Sequence, residues 1–378
     1  MRKVLSCILV AAVSLTAAFG GPKDPPENAL LDAVALYVDG NPGASLPVLD
    51  SLATLDPKDD AVQYYLGLVR FACRDANGAI SALKNAVALD TTNVWYKETL
   101  ANAYLALGVT DEAGLIYLDL SAKDPRKFRN SYTLTLMADA YRMKRDYKSF
   151  FSTLKEFAQD ESLTPESKSK YLTAALGGFD TQTFKSILPQ VDTLTQVFVA
   201  ANPDAVEPHE LHAEIAGYRE DYATVIDESY KIMKLSGRDS STVVTRLGLI
   251  GDCYHQMGNT SEAYKVYDQV LRINPRYCPV LNNYAWYLCT SGRKLSKAAR
   301  MSKITVEEEP DNPTYLDTYG WILYLQHKYK EAKPYFKHAM IYGGKDSATV
   351  LEHYSKVLEV LGEKDLAEYY KGLADSKK

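Results

Sequence analysis

The stretch from Ile250 to Pro275, IGDCYHQMGNTSEAYKVYDQVLRINP, limits what this chain can fold into more than any other. Large apolar or aromatic residues stand at Ile250, Tyr254 and Tyr267, small ones at Gly251 and Ala263, and a proline at Pro275. Two antiparallel helices approach closely only where both offer a small side chain, here Gly251 on the first and Ala263 on the second. Larger residues a turn away then interdigitate to native density. Gly258 lets the chain turn between the two helices, and Pro275 cannot continue the second.

This spacing resembles the tetratricopeptide repeat, a unit of about 34 residues with small and large residues at the same offsets. Leu247 stands where that repeat carries tryptophan. The resemblance implies an all-α fold, a right-handed superhelical solenoid of about ten antiparallel helix pairs, and it implies binding rather than catalysis. It leaves open what is bound.

The marks recur along the chain. A first pair over Ala29–Asp56 matches loosely, with Ser45, Leu49 and Pro57 in place of alanine, aromatic and proline, as a terminal cap would. A second unit, Asp60–Asn93, carries Leu66-Gly67, Ala79 and Leu83. A third, Val94–Lys127, carries Leu100-Ala101, Tyr104, Gly108, Ala113, Tyr117 and Pro125. A fourth begins near Ser131 with Met137-Ala138 and Tyr141, but places bulky Phe150 where alanine belongs. From Leu163 to Asp204 the register is lost. Thr164-Pro165 is a cap and first-turn pair and Gly177-Gly178 a stop, and a second helix from about Thr181 is expected to be interrupted at Pro189. This segment reads as a degenerate helix pair, or else as a linker between two halves. Register returns in the sixth unit (Ala213, Val225, Ile232), the seventh quoted above, the eighth from Cys278 and the ninth from Pro313 with Tyr319-Gly320, Ala332 and Phe336. A last pair from Ala348 to about Ala374 ends in a Lys-rich tail.

The N-terminus reads as a targeting segment: Arg2 and Lys3 precede a mostly apolar run, Val4 to Phe19, too short for a confident membrane span. The expected organisation is therefore a signal peptide (1–20), a proline-rich leader (21–27), an N-terminal array (28–162), an irregular helical connector (163–204) and a C-terminal array with a capping helix (205–378). Cys7 comes too early for a lipoprotein, so the mature chain is expected to be exported, periplasmic in a two-membrane bacterium, with no membrane span after cleavage. Export permits disulfides, but the spacing of Cys73, Cys253, Cys278 and Cys289 resembles no zinc module. Cys278 and Cys289 fall on one helix about 16 Å apart, beyond disulfide reach. Buried free thiols are the favoured reading.

With 46% apolar and 24% charged residues the chain is globular rather than disordered, and a net charge of −5 argues against a general nucleic-acid binder. No P-loop, nucleophile elbow or convincing Cys/His pair occurs. His209-Glu210-x-His212 has its histidines three apart, where a zincin needs four, with no third ligand in view, so two ordinary histidines on a helix surface are expected. No cofactor is expected.

The resemblance further implies that the first helices of successive pairs line a concave groove. One column of groove positions runs Leu68, Asn102, Asp139, Glu214, Asp252, Trp286, Trp321 and Lys356. A second runs Tyr64, Glu98, Thr135, Glu210, Gly248, Asn282, Asp317 and Glu352. Trp286 and Trp321 hold one position in adjacent units and are expected to stack along the wall beside Tyr324, with Asp252 and His255 facing the same groove. Exposed tryptophan beside tyrosine is a typical interface anchor, and the acids favour a basic or extended protein or peptide partner. Asn102 and Asn282-Asn283 lack the neighbouring basic residues of a carboxylate clamp. Two other readings stand beside this one: a glycan-binding module using the groove tryptophans, and an enzyme at the irregular segment, which offers only Lys185, Asp180 and Asp192.

Overall fold

The computed structural model describes residues 26–237, 239–292 and 294–377. The expected signal peptide and leader positions 21–25 lie outside them. Among the described residues the chain forms twenty-one helices, one 3-10 turn and no strand. It divides into two compact units, 1–153 and 154–378. The division falls inside the helix Tyr147–Gln159, ahead of the irregular segment where the register was lost.

The first unit holds the pairs Pro26–Val38 with Pro42–Leu55, Asp60–Ala72 with Ala76–Leu89, and Val94–Ala106 with Thr110–Lys123, followed by Ser131–Met143 and the start of Tyr147–Gln159. Pro26 opens the first helix, so the leader gives way to helix two residues earlier than its composition suggested. An unanticipated turn, Pro125–Phe128, seats Phe128 in the core and is capped by Asp124. In the second unit follow Pro165–Gly177, Thr181–Ala201, Val206–Tyr218, Tyr222–Leu235, Ser240–Gln256, Thr260–Ile273, Cys278–Thr290, Leu295–Glu308, Pro313–Leu325, Tyr329–Ile341, Ala348–Val360 and Lys364–Asp375. The starts are written in the sequence: side chains of Asp59, Asp75, Asn93, Asp180, Asp221, Asp239 and Asn312 accept hydrogen bonds from the first free N–H groups.

The seam inside each pair follows one rule. A Cβ added to Gly67, Gly251 or Gly320 would lie 2.6 Å from Leu83, 2.3 Å from the Tyr267 ring and 2.7 Å from Phe336, respectively. In each case the nearest atom belongs to the large residue sixteen positions on, and at Gly67 the carbonyl of Ala79, twelve positions on, also lies 3.2 Å away. The terminal pairs replace glycine packing with a hydroxyl across the seam: Ser45 Oγ donates to the Ala33 carbonyl at 2.7 Å and Ser355 Oγ to that of Ala367 at 2.8 Å. Both serines are buried, and the donated bond satisfies a group that would otherwise be costly there.

Two expectations fail, one in the irregular segment and one just after it. The helix Thr181–Ala201 runs through Pro189 without interruption. Pro189 is exposed, so the carbonyl that its ring leaves unpaired faces water, and Thr193 Oγ1 donates to its own carbonyl at 2.9 Å. His209 and His212 are not surface residues but lie 3% and 8% exposed. His209 bonds Glu228 through Nδ1 and the Pro203 carbonyl through Nε2 (2.9 Å), and His212 Nδ1 meets Thr195 Oγ1 at 2.9 Å. Their three-residue spacing turns both inward against different helices. Nearby, buried Lys168 spans the ends of two helices, donating to the Ala158 carbonyl (3.2 Å) and Asn202 Oδ1 (3.1 Å). A cation at helix C-termini is favourably placed, although burial lowers its pKa.

Candidate partner-binding surface

The aromatic positions picked from the sequence do come together in the second unit. Trp321 stacks on Tyr324, one turn away on its own helix, with ring centroids 4.7 Å apart and planes 9° from parallel. On the next first helix, His353 stacks on Trp321 at 3.9 Å and 15°. Trp286 reaches the same imidazole at 5.9 Å, tilted by 42°. The two tryptophans are thus joined through His353 and not by the direct stack expected. The ladder Tyr324, Trp321, His353, Trp286 crosses three successive first helices, and its tyrosine and tryptophans are half-buried. Lys356 Nζ lies 5.4 Å from the Trp321 ring centre and pairs with Glu352 at 2.9 Å.

Asn282 and Asp317, expected as open groove residues, are instead 6% and 7% exposed. Asp317 Oδ1 accepts from His353 Nδ1 at 2.9 Å, which fixes the imidazole under Trp321. Asn282 is left with a buried Oδ1 that no group among the described residues satisfies. Both lie a turn nearer the start of their helices than the tryptophans, where the packed side of the helix begins.

Asp252 anchors a second cluster one repeat earlier. The Tyr267 hydroxyl donates to its Oδ1, and Asn283 Nδ2 reaches both carboxylate oxygens at 3.1 and 3.2 Å. Burial pushes the Asp252 carboxyl above the usual carboxylate range, and those hydrogen bonds pull it back. His255 stacks on Tyr287 at 3.4 Å and 12°, and burial lowers its pKa, leaving the ring neutral near pH 7. Asp252 therefore spends its hydrogen-bonding capacity within the wall, on its own repeat and the next.

Most other acids of the two columns are also matched internally. Glu210 pairs with Arg246 at 2.5 Å, Asp139 with Arg142 at 3.4 Å and Glu98 with Lys127 at 2.7 Å. Asn102 is exposed and accepts from the Tyr117 hydroxyl at 3.1 Å. Glu214 lies elsewhere, at the rim of a cleft of about 390 Å³ between the irregular pair and the helix Val206–Tyr218. Phe184, Leu188, Leu211 and Tyr218 line that cleft, with Lys185. Asp180 caps the helix that follows it, and Asp192 is taken up by Arg219 and Gln196. Of the three polar groups considered for chemistry there, Lys185 alone faces the cleft.

Trp95 is the residue that sequence reasoning passed over. It is the most exposed large aromatic of the chain's described residues, at 68%, and stands three and seven positions before Glu98 and Asn102. That spacing puts all three on one helix face. Lys127 Nζ lies 4.6 Å from its ring centre. The same spacing applied backwards from Glu98 would have found it.

Cys253, Cys278 and Cys289 are buried and Cys73 half-buried, all as free thiols. Burial drives the Cys253 pKa to about 11 and that of Cys289 to about 12, which keeps both protonated and unreactive near neutral pH. No group of three or more His, Cys, Asp or Glu among the described residues could hold a metal ion. No described helix is long and apolar enough to cross a membrane.

Paired helices that close on a seam of small residues and repeat it along the chain define an α-solenoid. The tetratricopeptide-repeat family model matches residues 245–277, the stretch with the clearest spacing, so the chain carries a tetratricopeptide repeat there. Among solved structures, one titled as Naa15/Naa10 bound to HypK-THB aligns over 92% of this chain at 15% identity with a TM-score of 0.38. This chain spans 63% of the length of that one. A second, MamA MSR-1 C2, aligns over 45% of this chain and 94% of its own at 14% identity and a TM-score of 0.35. No curated protein matches the chain.

Proposed function

We propose that the protein is a non-catalytic scaffold that holds a protein or peptide partner against the first helices of its C-terminal repeats. The observation that carries this is the ladder of Tyr324, Trp321, His353 and Trp286, which lines up half-buried aromatic rings from three consecutive repeats. Large rings held rigid by their neighbours, with an edge left to solvent, lose little entropy on meeting a partner. Because Asp252, Asp317, Glu210 and Glu352 are each bonded within the protein, the acidic columns add less selectivity for a basic partner than their count suggests. The aromatic rings are the contact. Export is part of the same proposal and rests on Arg2, Lys3 and the apolar run to Phe19.

The test is the double substitution Trp286→Ala and Trp321→Ala, compared with the parent chain in partner capture from an envelope extract and in helicity by circular dichroism. Loss of captured protein with helicity retained is expected. Undiminished capture by the double variant would refute the assignment.

A further inference from the structure

We propose a second binding surface, on the N-terminal unit, for an acidic, extended peptide segment carrying one large apolar side chain. It stands or falls separately from the C-terminal ladder, because none of its residues belongs to that unit.

Two adjacent first helices each place an exposed aromatic at their second position. Trp95 is 68% exposed on Val94–Ala106, and Tyr132 is 57% exposed on Ser131–Met143. Both helices pack on Thr110–Lys123, whose Tyr117 donates its hydroxyl to Asn102 and lies 6.4 Å from Phe128 between ring centroids. Burial, then the charges of Glu98 and Tyr132, raise the pKa of Tyr117. Solvent-exposed aromatics on neighbouring helices, with no core role to explain them, mark a place where apolar surface is to be covered.

The charge around them is opposite to that of the chain. Net charge overall is −5, yet Ser121 to Lys148 carries eight Lys or Arg against three Asp. Lys127 lies over Trp95 and also 4.5 Å from the Phe128 ring centre, with Arg126 exposed beside it on the same short helix. At the far end of Ser131–Met143 stand Arg142, Lys144 and Arg145. Two of these cations are already paired, Lys127 with Glu98 and Arg142 with Asp139. Arg126, Lys144 and Arg145 carry no ion pair among the described residues. From Tyr132 to Arg142 the helix rises about 15 Å, the reach of four or five residues of extended chain. An apolar side chain between Trp95 and Tyr132, with carboxylates at Arg126 and again at Lys144 and Arg145, satisfies both ends. A nucleic acid would meet the same cations, but it would also meet the strongly acidic remainder of the chain.

The test uses the full chain and a labelled synthetic peptide of aspartate and glutamate around a single leucine, read by fluorescence anisotropy. Controls are the lysine counterpart, the all-acidic peptide without leucine, and a single-stranded RNA oligonucleotide. Expected are binding of the acidic leucine peptide that weakens with salt, and loss of affinity by at least about tenfold in Trp95→Ala and in Arg126→Glu. Both substitutions are at exposed positions, and circular dichroism confirms that the variants fold. The proposal is overturned if the acidic peptide does not bind, if the lysine peptide or the RNA binds as well or better, or if both variants keep the parent affinity.

Discussion

Gly251→Ala is the smallest change that tests how the repeat seam works. The added methyl would lie 2.3 Å from Tyr267 Cε1 and 2.6 Å from Cδ1, so ring or helix must move by about 1 Å to reach ordinary contact. Tyr267 has nowhere to go: it is fully buried, packs 5.4 Å from Tyr284, and its hydroxyl is tied to Asp252. Overpacking of this kind costs about 1–3 kcal/mol. Breaking a hydrogen bond to a charged acceptor adds about 1.5–3 kcal/mol. Alanine returns about 1 kcal/mol of helix propensity over glycine. A net loss of about 1.5–5 kcal/mol follows from these figures. Gly372→Ala is the control, because a Cβ there meets nothing within 4 Å, and it should gain about 0.5–1 kcal/mol. Urea unfolding gives the midpoints. Hydrogen exchange over Ser240–Gln256 and Thr260–Ile273 locates the loss, since repeat arrays need not unfold as one cooperative unit. In a Tyr267→Ala background the Gly251→Ala penalty should largely vanish, the mark of direct coupling. If Gly251→Ala proves as benign as Gly372→Ala, the Gly251–Tyr267 contact is not what sets the helix spacing.

Three further outcomes are expected. Glu220 occupies the left-handed turn position (φ 58°) that glycine fills at Gly108 and Gly258, so Glu220→Gly should raise the unfolding free energy by about 1 kcal/mol, seen as a higher urea midpoint. Burial raises the pKa of Tyr315 and of Tyr354 to about 12. Above pH 10 the unfolded chain therefore loses these protons while the folded one keeps them, and stability should fall by up to about 1.4 kcal/mol per pH unit for each tyrosine, measured by urea titrations at stepped alkaline pH. Lys168 has the opposite sign: its folded pKa is lowered by burial, so between that value and 10.5 the unfolded state holds the extra proton and stability rises with pH. Lys168→Met should remove that rise from the difference between variant and parent stability curves.

The repeat architecture was legible in the sequence because its determinants are local and periodic. Gly67, Gly251 and Gly320 with their partners sixteen residues on, the Asp and Asn caps, and Thr164-Pro165 each act within one helix pair, so their spacing alone announces the element they build. Trp286 and Trp321 were found for the same reason, as one position repeated in register, and Tyr324 as lying one turn from Trp321. What the sequence could not settle depended on the setting of each residue among other helices, with partners 17 to 36 residues away. His353 comes between the two tryptophans and takes Asp317 as its partner from 36 positions back, and Asn283 closes on Asp252 from the next repeat. Pro189 stays within a helix because that side of it faces water, a fact no local signal carries. His209 and His212 look like surface residues until the helices bearing Thr195 and Glu228 close over them.

The sequence by itself therefore determined the helix pairs, their turns and their seams, since each is an interaction between residues of one unit. Which polar groups on those helices remain open to a partner was decided only by the tertiary structure. Stacking one repeat on the next converts Asp317, Asn282 and Asp252 from candidate contacts into the wall's own wiring, and leaves the aromatic edges, together with Trp95, facing outward.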